Sequence, residues 1–248
     1  MDLTQLRREN RSGVIVLSPL ATEESFTWEL ISALRAQGYW VRTFHCFGNW
    51  YFQTNGKGFS EYLAERPSQL RNTLRRAQGK LNKLGNWNIE LHKTTGVELE
   101  RAIRDYDKVY GASWKPSEAD PEFVFSLIRM AAEQGSLRLG LLKIEGEALA
   151  AQLWFVKGGV ASIYKLAYVE NAAPLSLGTV LSAFMFEHVL DYDRVDEIDF
   201  LNGDEPYKRE WMSARRVRIG IHALDLRRPP AWGAAIKQLV GDWLRKLT

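Results

Sequence analysis

A chain of 248 residues suits one large domain or two small ones, and 46% hydrophobic with 25% charged residues is enough for a globular core. A net charge of +3 excludes a strongly basic nucleic-acid binder. The single cysteine, Cys46, excludes an internal disulfide and agrees with a reducing compartment. His45, His92, His188 and His222 are scattered without metal-ligand spacing, so no metal is expected. Residues 1–10 lack an apolar run after their charges, so no signal peptide is expected. No apolar stretch approaches the ~20 residues of a membrane span, so the expected location is cytoplasmic.

In chain order, residues 13–17 read as a strand ended by Ser18-Pro19, and 22–37 as a helix stopped by Gly38. Two aromatic and β-branched runs, 39–47 and 50–54, read as strands, and a short helix follows from Ser60. Pro67 opens a helix up to Gly85. Its Leu70, Leu74, Ala77, Leu81 and Leu84 repeat at spacings of three and four, which defines one apolar face. Arg71, Arg75, Arg76, Lys80 and Lys83 fill much of the remainder. They form either a solvated face or an anion-facing surface for a phosphorylated ligand or RNA.

From Trp87 the order is regular. A strand (87–93) and a helix (97–114) precede a second helix that Asp120-Pro121 opens and Gly135 follows. Three strands in a meander (137–144, 148–156, 160–168) come next, then a loop (170–176), an apolar helix (177–190) and a strand (197–201). An alternating strand (216–226) and, after Pro229-Pro230, a helix bearing Trp232, Ile236, Leu239, Val240, Trp243 and Leu247 end the chain. That last apolar face packs on the sheet or lies on a membrane surface.

The strand at 197–201 runs into Asn202-Gly203-Asp204-Glu205-Pro206-Tyr207-Lys208, a strong turn with two carboxylates, a phenol and an ammonium. These groups suit proton transfer and charge stabilisation. The structural alternative is a short helix capped by Asp204 or Glu205, with Tyr207 and Trp211 packed on one face.

The order β-α-α-β-β-β-α-β-β from Trp87 resembles the GCN5-related N-acetyltransferase (GNAT) superfamily. Three stretches are similar to its FemAB-like branch, which includes CelD-like proteins. They are Leu70-Arg71-Asn72-Thr73-Leu74-Arg75-Arg76, Tyr164-Lys165-Leu166-Ala167-Tyr168 with Leu175-Ser176-Leu177-Gly178-Thr179, and Asp199-Phe200-Leu201-Asn202-Gly203-Asp204-Glu205-Pro206-Tyr207-Lys208-Arg209-Glu210-Trp211. The last is the most specific, close to D-F-L-x-G-D-x-x-Y-K-x-x-W.

The resemblance implies a mixed-sheet α/β GNAT fold. Residues 1–85 would form a shortened, GNAT-like first half, 86–228 the acyltransferase domain, and 229–248 an amphipathic terminal helix. It implies acyl transfer from acetyl-CoA or another acyl-CoA to a small-molecule amine, such as an amino sugar or a cell-envelope or exopolysaccharide precursor. An aminoacyl-tRNA-dependent Fem-like transferase and a catalytically silent binding module are the alternatives.

In this fold the strand at 160–168 splays from the next parallel strand. Leu166 and Tyr168 would meet the donor's pantetheine amides, and Ser176, Gly178 and Thr179 its pyrophosphate at the helix start. Of the usual Q/R-x-x-G-x-G/A phosphate loop only Gly178 remains; its alternative role is tight packing on the sheet. Asp204 is the preferred base, with Asp199 and Glu205 the other carboxylates. Lys208 would stabilise the oxyanion and Tyr207 would protonate the leaving thiolate. Tyr164, Glu205 and either Trp154 or Phe155 would line the acceptor pocket.

Overall fold

The computed structural model describes residues 10–245, with side chains described through residue 237. The expectation for residues 1–9 and the apolar contacts of Leu239, Val240, Trp243 and Leu247 lie outside the described residues. The chain divides into two compact units, Met1–Asn49 with Arg215–Thr248, and Trp50–Ala214.

In the first unit β1 (Val14–Ala21) pairs antiparallel with β8 (Ala214–Leu224), and β8 neighbours the start of β2 (Trp40–Gln53). Helix α1 (Ser25–Ala36) buries Ile31 and Leu34 against Val41, Ile221 and Ala223. β1 does not stop at Ser18-Pro19 as expected. It runs on to Ala21, and a register shift between Leu17 and Leu20 absorbs the proline. The two strands expected at 39–47 and 50–54 are one, because Gly48 and Asn49 stay extended and Arg216 donates to Asn49 Oδ1.

The terminal helix α8 (Pro230–Arg245) buries Ala231 and Ala235 against Leu224, and leaves Trp232 53% and Ile236 61% exposed. The expected apolar face is thus turned outward at these two residues, since small alanines allow the closer approach.

The second unit contains β3 (Trp87–His92), β4 (Leu137–Ile144), β5 (Glu147–Lys157), β6 (Val160–Tyr168) and β7 (Glu197–Asp199). β3 to β6 pair antiparallel in sequence order. β7 pairs parallel with β6 and antiparallel with the end of β2. Both faces are covered, so β4 and β5 are apolar on both sides. Leu142, Ala150 and Trp154 pack in one cluster, and Leu141, Ala151 and Leu153 in the other, by strand alternation.

Helices α3 (Ser68–Leu84) and α6 (Leu177–Glu187) bury Leu70, Leu74, Leu81, Leu181 and Phe186 in the first cluster. Helices α4 (Val97–Gly111) and α5 (Pro121–Glu133) bury Leu99, Tyr106 and Ile128 in the second. Asp120 caps α5 through Phe123 N at 3.0 Å, with Pro121 in its first turn, as the sequence implies.

The mixed-sheet α/β class matches expectation. The division differs from boundaries at 85 and 228. α3 shares one core with α6 and so belongs with the second unit, while β8 from Arg215 onward belongs with the first. The basic row of α3 is solvent-exposed and its apolar face is buried, except Leu84, which is 52% exposed at the last helical position.

Candidate active site

Pairing of β6 with β7 ends at Ser162 and Asp199, yet β6 continues to Tyr168 on β5 alone. The N–H of Phe200 turns to the Trp50 carbonyl instead, at 3.0 Å. Within β6, Leu153 faces Lys165 while Trp154 faces Ile163, so Tyr164 is an inserted bulge residue. A bulge bends its strand and re-aims neighbouring side chains. The outcome is a splay with one wall formed by the edge of β6.

Two cavities open there, of about 320 Å³ and 450 Å³, and Leu166 and Tyr207 line both. The smaller lies between Tyr168, Gly178 and Thr179 and the α3 residue Thr73. The larger is lined by Tyr164, Lys165, Asn202, Glu205 and Lys208, with Lys115.

At the smaller cavity, Gly178 and Thr179 belong to the first turn of α6. Ser176 precedes them with φ +55° and accepts from Thr179 N at 3.0 Å and Val180 N at 3.3 Å. The loop expected at 170–176 is a 3-10 turn, Glu170–Leu175, tied to α3 by Lys80 donating to the Pro174 carbonyl at 2.7 Å. A Cβ on Gly178 would stand 3.2 Å from the Tyr168 ring. The buried Gln152 fixes this corner: its amide donates to Gly178 O at 3.2 Å and Ser182 Oγ at 2.8 Å, and accepts from Trp154 at 2.9 Å.

At the larger cavity the charged turn is built on itself. Asp199 Oδ1 accepts from Leu201 N at 2.6 Å, which ends β7 and holds Leu201 at φ +54°. Gly203, at φ +99°, takes a backbone geometry that side chains resist. Lys208 opens the short helix α7 (Lys208–Trp211) and is 4% exposed. Its ammonium donates to the Asn202 and Gly203 carbonyls and pairs with Glu205 at 2.8 Å. The far end of α7 is pinned at the Trp211 carbonyl by Tyr62 Oη of the short helix α2 (Phe59–Ala64) at 2.6 Å and by Arg66 at 3.1 Å.

Burial raises the Glu205 carboxyl, but the hydrogen bond and charge of Lys208 outweigh this and hold it below the ordinary carboxylate range. Burial, then the Glu205 charge, pushes the Tyr207 phenol well above its ordinary value, so it remains a proton donor. Burial, then the charge of Lys165, lowers Lys115.

The structure therefore gathers Tyr164, Glu205, Tyr207 and Lys208 at one cavity and Leu166, Tyr168, Gly178 and Thr179 at the other. Asp204 lines neither cavity: its Oδ1 accepts from Trp50 Nε1 at 2.7 Å, and Glu205 is the adjacent carboxylate in the cavity. Asp199 is enclosed in the turn. Trp154, expected at the acceptor pocket, is a fully buried core residue beside Phe186, while Phe155 lies on the opposite face against Tyr164 at 5.5 Å.

Sequence reasoning missed Gln152, Lys115, Lys165 and its partner Glu118, which sits 2.9 Å from Lys165 Nζ. Lys165 carried a readable signal, because a charge inside a strand buried on both faces needs a partner. Lys115 carried none. It follows the end of α4, and only the chain path brings it to the cavity.

The sequence profile described as an acetyltransferase (GNAT) domain matches residues 68–209, the stretch from α3 through the charged turn. No curated protein matches the chain. Among solved structures, FemX is similar at TM-score 0.66 and 10% identity, covering 90% of this chain and 75% of that one. L-PGS from Bacillus licheniformis follows at 0.57 and 12%, covering 92% and 73%. The C-terminal domain of an Agrobacterium fabrum protein named for lysylphosphatidylglycerol synthesis stands at 0.57 and 11%, covering 84% of this chain and only 66% of that one. At such identities these likenesses speak for the fold. With the profile spanning more than half of its residues, the chain belongs to the GNAT acetyltransferase family, the family of N-acyltransferases.

Proposed function

We propose that the protein is a FemAB-like N-acyltransferase that moves an acyl group from acyl-CoA to the amine of a small molecule, of the amino-sugar or cell-envelope-precursor kind. The observation that carries this reading is the splay between β6 and β7, where two cavities meet at Leu166 and Tyr207. The smaller takes the donor, with its phosphates at the first turn of α6 and its pantetheine along the β6 edge. The larger takes the acceptor.

At the junction, N–H groups of the β6 edge polarise the thioester carbonyl. Glu205 removes the amine proton, directly or through water, as the new C–N bond forms. Tyr207 donates its proton to the sulfur as the C–S bond breaks. Lys208 and Asp199 hold the turn that presents both groups.

The exposed row of Arg71, Arg75 and Arg76 on α3, beside cavity-lining Leu70 and Thr73, favours a polyanionic donor such as aminoacyl-tRNA as the second reading.

Thermal unfolding with added ligand tests the donor. Coenzyme A at about 100 times its dissociation constant is expected to add about 2.7 kcal/mol of stability. No shift at millimolar coenzyme A, alongside a shift with aminoacyl-tRNA, would transfer the donor site to the second reading.

A further inference from the structure

The larger cavity holds an unbalanced set of charges. Lys165, Lys208 and Lys115 line it with one carboxylate, Glu205, and Glu118 stands behind Lys165. Two of the ammonium groups are already matched: Lys165 by Glu118 at 2.9 Å, and Lys208 by Glu205 at 2.8 Å with the turn carbonyls. Lys115 differs. Among the described residues no carboxylate stands within ion-pair distance of it. Its ammonium lies 5.9 Å from the Tyr110 ring and 5.8 Å from the Trp114 ring, at the outer limit of cation–π attraction. Its charged neighbours are Lys165 and Lys208, of the same sign, and Glu205 and Glu118, each of which is already paired with one of those lysines.

A partly desolvated ammonium with no direct ion-pair partner is placed to receive an anion from outside the chain. The same cavity offers one carboxylate for an amine, and its volume lies in the range of small-molecule sites. Building on the acyltransferase reading, we propose that the acceptor is zwitterionic: its amine faces Glu205, and its carboxylate or phosphate is held by Lys115. Amino acids and phosphorylated amino sugars have this chemistry, whereas plain amines and neutral amino sugars do not. Lys115 is then a specificity-determining residue.

Two measurements test this. Acetyl transfer is compared for glycine against glycinamide, and for glucosamine 6-phosphate against glucosamine, with wild type and Lys115→Met. The charged member of at least one pair is expected to have a kcat/KM roughly tenfold higher or more, the scale of one charge-assisted hydrogen bond. Lys115→Met is expected to erase that preference, mainly through KM, while leaving coenzyme A affinity unchanged. The pair that responds tells carboxylate from phosphate. The exposed Lys93→Met serves as the control.

The second measurement needs no turnover. Amine-selective labelling of Lys115, read by mass spectrometry, is expected to slow several-fold in acetate or inorganic phosphate relative to chloride at equal ionic strength, with Lys93 unchanged. Absence of protection, or a charge preference that survives Lys115→Met, overturns the proposal. Protection of Lys115 in a protein that does not bind coenzyme A would sink the donor reading and leave the anion site standing.

Discussion

Trp50 donates its indole N–H to Asp204 at 2.7 Å, and this bond separates two adjacent carboxylates. Asp204 is turned toward β2, while Glu205 is turned toward the larger cavity and Lys208. Glu205→Gln is therefore expected to lower turnover roughly 10²–10⁴-fold with little change in melting temperature. Asp204→Asn is expected to stay within a few-fold of wild type, because an amide oxygen still accepts from Trp50. Steady-state kinetics on the two variants decide between them; the reverse pattern would return the base to Asp204.

Lys208 is buried, and its three acceptors all belong to the turn. Lys208→Met would leave Glu205 and two carbonyls without their donor. A loss of stability of about 1–3 kcal/mol is expected together with the loss of turnover. An oxyanion role alone would lower turnover at an unchanged melting temperature, so calorimetry beside kinetics tells the two apart.

The pH profile has a definite sign at both ends. The Glu205 carboxyl is held below its ordinary 4.5, with burial opposed and outweighed by Lys208. A depressed carboxyl stabilises the fold above the unfolded value, and that contribution is lost as pH falls through the folded one. Acid unfolding below about pH 4.5 is expected to be less steep in Glu205→Gln. The Tyr207 phenol is raised by burial and then by Glu205, so stability is expected to fall as pH rises above its ordinary 10.0, where the unfolded chain releases the proton first. Turnover is expected to keep its proton donor throughout the neutral range. An alkaline limb near pH 8 that vanishes in Tyr207→Phe would contradict this.

Gly178 faces the Tyr168 ring, and the proposed donor phosphate would approach the same backbone. A methyl group there meets the ring at 3.2 Å, so Gly178→Ala asks the ring to move by a few tenths of an ångström. The expected cost is about 1 kcal/mol of stability, with a clear loss of coenzyme A affinity by calorimetry. Unchanged affinity with a melting temperature lowered by many degrees would make Gly178 a packing residue only.

Much of this protein was legible from residue types in order. The apolar runs and turns of β4, β5 and β6 announce themselves because a strand buried on both faces must be apolar throughout, and Glu145-Gly146-Glu147 and Lys157-Gly158-Gly159 fit only turns. Asp120-Pro121 marks the start of α5 by local hydrogen bonding alone. Asn202-Gly203, followed by two acids, a phenol and a lysine, located the charged turn for the same reason: its geometry is set within a few residues.

The facing of individual side chains was decided by tertiary structure. Asp204 and Glu205 are adjacent and chemically alike, and the hydrogen bond from Trp50, distant in sequence, sets Asp204 apart from Glu205. The Tyr164 bulge redirects β6 in a way that no period-2 pattern encodes, and it forms part of the wall of the larger cavity. Trp154 and Phe155 were an unresolved pair until the helices packed on the two faces of β5. Lys115 reaches the cavity through the path of the chain after α4. Local elements follow from propensity and periodicity because their energies are short-range; a site assembled from separate segments follows from packing, which a linear pattern does not record.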